Sequence, residues 1–147
     1  MRESWARNWR ILQADIDDYF EQVSAHIIVR EPPFFRWHVA GDIPSAEYFM
    51  GMVKLAKKFS ETAFAVYTKT NWPQLFRIMR REALPKNLSI LKSTWGDFDP
   101  MPNVRFEKAQ FVPRGQEVPS GGFICPGSCV DCRECWAPHG TVYFKQH

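Results

Sequence analysis

Between residues 34 and 95 the chain alternates short β-prone runs with amphipathic segments, and the connections are too short for anything but a local crossover. Aromatic and β-branched residues over 34–40 end at the turn Gly41-Asp42 and predict a first strand. Ser45 then offers a helix N-cap, Glu47 favours the positive helix start, and Tyr48, Phe49, Met52, Leu55, Ala56 and Phe59 recur at helical spacing. Residues 63–70 predict a second strand. Asn71 caps a further helix with Pro73 in its first turn and Leu75, Phe76 and Met79 facing inward, and residues 88–95 predict a third strand. Strand, helix, strand, helix, strand in this order implies α/β architecture, a partial (β/α) barrel-like parallel sheet with flanking helices.

Ahead of this unit, Trp5, Trp9, Leu12, Ile16, Tyr19 and Val23 alternate by threes and fours, which predicts one amphipathic helix over residues 3–25, closed off by Glu31-Pro32-Pro33. Beyond Gly96 the text turns to Pro, Gly and isolated apolar runs at 104–106, 111–112 and 142–144, with an irregular stretch over 113–122. The chain of 147 residues is the size of one domain. It is expected to comprise an α/β core over 1–96 and a loop-rich segment over 97–147 that needs something to hold it.

That something is supplied by CPGSCVDCREC, residues 125–135, where Cys125, Cys129, Cys132 and Cys135 place every thiol of the protein within eleven residues. Thiolates are soft ligands for zinc or iron–sulfur clusters, and short spacings let neighbouring sulfurs converge on one centre. A structural zinc site usually joins two CxxC pairs through a longer linker, so this dense repeat points first to a [4Fe–4S] cluster, with zinc the alternative. His139 and His147 lie close enough in sequence to replace one thiolate, although a terminal histidine is more often solvated.

The first strand's alternation is expected to put Arg36 and His38 on one face and Phe35, Trp37 and Val39 on the other. In parallel sheets ligands collect outside the carboxyl ends of strands, so His38, Asp42, Tyr67, Lys69, Lys92 and Thr94 form a candidate pocket; the competing view makes them satisfied polar groups. The six tryptophans are expected to be mostly core, with Trp136 beside the cysteines. The basic run at 77–81 suits either a solvated helix face or a phosphate contact.

Three stretches together, FRWHVAGD at 35–42, AVYTKT at 65–70 and CVDCRECW at 129–136 with a late histidine, resemble the phage gene product 88 family over residues 34–147. That family is in turn similar to a reduced relative of radical S-adenosylmethionine enzymes, whose partial barrels carry a glycine-rich turn ending in an acidic residue. The resemblance implies a phage protein, and it implies that the Gly41-Asp42 turn helps hold S-adenosylmethionine; His38 and Lys69 join it as cofactor-binding candidates through the strand-end pocket. In those enzymes a CxxxCxxC loop after the first strand leaves one iron open; Cys125, Cys129 and Cys132 have that spacing at the opposite end of the chain, and Cys135 adds a fourth thiolate. A cluster serving structure, redox chemistry or partner recognition is therefore the first expectation, and a radical S-adenosylmethionine-type enzyme the second. A zinc-stabilised module binding nucleic acid or a host protein is the third.

The net charge of +3 is spread along the chain and permits nucleic-acid binding without arguing for it. The N-terminus lacks the apolar core of a signal peptide and no apolar run is long enough to span a bilayer, so the expected setting is the cytoplasm, that of the host if the chain is phage-encoded, without a membrane partner. An incomplete barrel with open strand edges also allows a homo-oligomer. GxxxxGK, HExxH and serine-triad patterns are absent, so hydrolase and nucleotide-handling chemistry has no support, and no substrate or catalytic residue is legible.

Overall fold

A computed structural model describes residues 2–38, 41–70, 77, 84–101, 106–138 and 140–146. The chain opens with two helices, α1 (Arg2–Ala14) and α2 (Ile16–Arg30), where the apolar spacing suggested one. The division falls at Asp15, whose carboxylate accepts from the backbone N–H of Asp17 at 2.9 Å and of Asp18 at 3.0 Å. A short acidic side chain competes in this way for the donors of the next turn, so it starts a helix better than it continues one. Helix α2 runs past the expected end and stops where Glu31 adopts a left-handed conformation, φ 43°, just ahead of the two prolines.

Strand β1 (Phe34–Arg36) is shorter than the sequence implied. The Trp37 N–H still bonds Ala65 O at 2.9 Å, but His38 has φ 52° and leaves the extended conformation. Helix α3 (Ala46–Lys58) begins at Ser45, whose hydroxyl accepts from Tyr48 N at 3.0 Å, and leads to β2 (Ala63–Thr68). The helix expected to start at Asn71 lies outside the described residues except for Arg77, which is helical and exposed. Strand β3 (Leu88–Trp95) has the expected bounds. At the amino ends of β2 and β3 the Asn87 side-chain amide reaches the carbonyls of Ala56 and Phe59 and of Thr62 at 2.9 to 3.0 Å, satisfying the open end of α3.

The C-terminal part is less irregular than expected, because it supplies β4 (Glu107–Val112), β5 (Phe123–Ile124) and β6 (Val142–Lys145). All six strands join one parallel half-barrel sheet in the order β1-β2-β3-β4-β6-β5. On one face Phe64, Val66, Leu88 and Ile90 pack beneath α2 and α3, around Trp37, Tyr48, Phe49 and Met52. On the other face Leu91, Ala109 and Val142 meet Cys135. The order explains the second layer: β6 lies back between β4 and β5, so a right-handed return from β5 has to cross the face that α3 does not use.

Helices α2 and α3 approach closely at Gly51 of α3, where an added Cβ would stand 2.2 Å from Cε2 of the Phe20 ring of α2. That ring is itself packed against Tyr19, Trp37 and Tyr48. Alanine favours a helix by about 1 kcal/mol over glycine, whereas overpacking costs about 1–3 kcal/mol. Gly51→Ala is therefore expected to lower the thermal midpoint, and Phe20→Leu in the same chain to recover part of the loss; calorimetry on the single and double variants checks both.

Candidate metal and ligand site

The four cysteines ride on the β5-to-β6 return. Cys125 extends the ladder, its N–H bonding Tyr143 O at 2.9 Å, and its sulfur accepts from the Gly127 N–H at 3.4 Å. Gly127 has φ 84°, a conformation that glycine adopts without strain. Cys129 and Cys132 are the two ends of a single helical turn, so their three-residue separation puts them on one side of it. Arg133 then turns left-handed, φ 55°, into a 3-10 turn over Glu134–Trp136. Trp136 closes the segment: its indole N–H donates to Phe35 O at 3.1 Å and its ring meets the Phe34 edge at 5.4 Å.

All four thiols are free; Cys135 is buried, Cys125 and Cys132 are half-buried and Cys129 is exposed. Burial pushes the Cys135 thiol up, the Tyr67 hydroxyl pulls it down, and the charges of Cys125, Cys129 and Cys132 push it up again. Burial also raises Tyr67, whose partner Cys135 adds to the effect and Arg36 opposes it. The guanidinium of Arg36 lies 4.5 Å from the Tyr67 ring centroid. One sulfur, that of Cys135, is thus fixed in the core, and the other three lie on the same return at the half-buried or exposed surface. Among the described residues no three His, Cys, Asp or Glu groups stand close enough to hold a metal ion in this arrangement. His139 and His147 lie outside the described residues.

At the other candidate site, Asp42 is consumed by the fold. Its Oδ1 accepts from the hydroxyls of Thr68 at 2.5 Å and Thr70 at 2.9 Å and from Ile43 N at 2.8 Å, while Oδ2 accepts from Lys69 N at 2.9 Å. Gly41 supplies the turn, with φ 101°. Asp42 and Lys69 are thus brought together through the lysine's backbone, and the Lys69 side chain is left exposed. His38 does not share a face with Arg36. Its positive φ breaks the two-residue alternation and turns the ring onto Tyr48, with Nε2 2.9 Å from the Tyr48 hydroxyl, which is 3.2 Å from that of Tyr19. Burial lowers the His38 pKa and Asp42 opposes the shift; Nδ1 is buried without a partner.

The expected single pocket is therefore divided. Tyr67 faces the cysteines, whereas Thr68, Lys92 and Thr94 occupy the α3 side of the sheet in register. Lys92 is 3% exposed and donates to Asp99 Oδ2 at 2.7 Å and to Met101 O at 2.9 Å. The Thr94 hydroxyl is buried without a partner. Tryptophan burial is also mixed: Trp37 is core, but Trp9 is 50% and Trp95 42% exposed. Trp95 stacks on Phe98, itself exposed, in the turn beyond β3, at 4.4 Å. Thr68, Thr70, Tyr48 and Asp99 carry most of the polar contacts here, and the sequence reading names none of them as a partner; the signal is Thr68-Lys69-Thr70 at and just beyond the end of β2, where two hydroxyls flank one exposed lysine.

Burial pushes the Asp99 carboxyl up, but the hydrogen bonds from Lys92 and Met101 N and the charges of Lys92 and Lys108 outweigh it and hold the pKa below the usual carboxylate value. A lowered pKa contributes stability that is complete above the ordinary value of about 3.9 and lost as pH falls through the folded one. Asp99→Asn is expected to unfold at a lower temperature than the native chain at pH 7, with the gap narrowing as pH is taken progressively below the ordinary carboxylate value of about 3.9; thermal unfolding across that series checks it.

Neither a curated protein nor a solved structure matches the chain. A family model described as Gene product 88 matches residues 1–119. That span covers α1 through β4, including the Gly41-Asp42 turn and the AVYTKT strand, and ends ahead of Cys125, so the cysteine half of the resemblance lies beyond it. No helix among the described residues is long and apolar enough to cross a membrane. With four-fifths of its residues inside that match, the chain belongs to the Gene product 88 family.

Proposed function

We propose that the protein binds a [4Fe–4S] cluster through Cys125, Cys129, Cys132 and Cys135, and that the cluster locks the β5-to-β6 return while serving electron transfer or recognition of a partner. The observation that carries this reading is the setting of the four free thiols on one crossover, with Cys135 buried against Leu91, Ala109 and Val142. The segment between Cys125 and Trp136 has two ends tied to the sheet and little core between them. Binding energy is folding energy for such a segment, since ligation replaces the missing apolar contacts.

Each residue has a distinct part. Cys135 is the anchored ligand, and Cys125, Cys129 and Cys132 are drawn toward it as the loop closes. The Gly127 N–H stabilises negative charge on the Cys125 sulfur, and Arg133, held 4.6 Å over the Phe34 ring, sits in the same segment as the anionic sulfurs. Four thiolate ligands leave no iron open to a substrate, which favours structure, one-electron transfer or recognition over cleavage of S-adenosylmethionine. The hydrogen bonds that occupy both oxygens of Asp42 point the same way.

Protein purified without oxygen is expected to carry iron and sulfide with a broad visible absorbance, to lose most of both in Cys135→Ala, and to show no spectral change on adding S-adenosylmethionine. Stoichiometric zinc in colourless protein, with no iron taken up on anaerobic reconstitution, would overturn the cluster in favour of a zinc-stabilised binding module. A spectrum that responds to S-adenosylmethionine would overturn the four-thiolate arrangement and return the radical-enzyme reading.

A further inference from the structure

Helix α1 is the least supported element of the fold. Every described side chain from Glu3 to Arg10 is exposed, and among the described side chains of the helix only Leu12, near its end, packs against the core. An isolated helix of 13 residues is marginal in water, because nucleation is costly and too few hydrogen bonds follow. Yet α1 carries an apolar stripe: Trp9, half exposed, precedes Leu12 and Ile16 at the spacings of a coiled-coil seam. Downstream the same stripe is occupied, since Tyr19, Val23 and Ile27 dock on the chain's own core.

Beside Trp9 lies an open groove of about 500 Å³, formed where α1 and α2 meet the start of α3. Trp9, Leu12, Ile16 and Pro44 supply its apolar floor, and its charged groups are the carboxylates of Asp15 and Glu47. Helix α1 has the opposite charge, with three arginines against one glutamate. The groove therefore matches α1 in both polarity and sign, and the chain cannot fill it with its own α1 because that helix forms one wall.

We propose that the groove receives α1 of a second copy of this chain, in an antiparallel pair about a two-fold axis near Leu12. Such a contact is self-complementary: the patch that fills is the patch that receives, and one axis closes it into a dimer. Trp9 of each copy enters the other's groove beside Ile16, and Arg7 and Arg10 of each copy face Asp15 and Glu47 of the other. The pairing gives α1 the partner that its marginal length requires. It is independent of the cysteine segment, which lies on the other face of the sheet.

Sedimentation equilibrium of the full chain from about 1 to about 100 µM tests this over a range suited to a modest interface. The expected result is twice the 17.2 kDa chain mass for the native protein and a single mass for Trp9→Glu, whose thermal midpoint at low concentration should be close to native because Trp9 lies outside the core. Arg10→Glu should also be monomeric, and Arg10→Glu combined with Glu47→Arg should restore the doubled mass, which a merely misfolded variant would not do. A native protein that is monomeric at the highest concentration, or a dimer that survives Trp9→Glu, would overturn the proposal.

Discussion

Parallel hydrogen bonding of every strand is the constraint on which the rest of this molecule depends. A parallel pair cannot be closed by a hairpin, so each connection must travel back along a face of the sheet. For the first strands that face is the one covered by α2 and α3, and it gathers the larger apolar core. The last return runs the opposite way across the order, from β5 inward to β6, and handedness sends it across the remaining face. Cys125 and Cys135 reach the face opposite α3 for this reason, and Cys135 is buried there between strands distant in sequence.

Polar side chains hold the ends of these strands in place. Asp42 ties the turn after β1 to the end of β2, Asn87 closes α3 against the starts of β2 and β3, and Lys92 with Asp99 pins the turn beyond β3. A carboxylate or ammonium with all its bonding capacity taken up by the protein is costly to leave unpaired and poorly placed to serve a ligand. The carboxyl ends of β1, β2 and β3 are thus staples on the helix side, while the chemistry with unspent capacity, four free thiols with Tyr67 and Arg36 behind them, lies on the other side.

Much of the first 95 residues was legible because its signals are local. The Ser45 cap, the α3 stripe and the bounds of β3 follow from short-range spacing and match the fold. Where local signals failed, a competing local interaction or a distant partner had won. Asp15 broke an otherwise continuous apolar stripe by capping α2, and His38 left the strand pattern to meet Tyr48, ten residues on. Strands β4 to β6 were hidden because they are short and their burial follows no clean alternation, with both residues of β5 exposed at the sheet edge; their pairing partners, not their spelling, make them strands.

By itself, the sequence determined the parallel α/β class, the helical stripes and the gathering of four thiols into eleven residues, since each depends on neighbours within a few positions. Only the tertiary structure decided which face each polar group took, that Asp42 is spent on Thr68, Lys69 and Thr70, and that Cys135 lies against Tyr67. The physical reason is that side-chain direction in a strand alternates with every residue, so one positive φ at His38 or one strand inserted out of order changes what meets what, and neither event is written at the positions it affects.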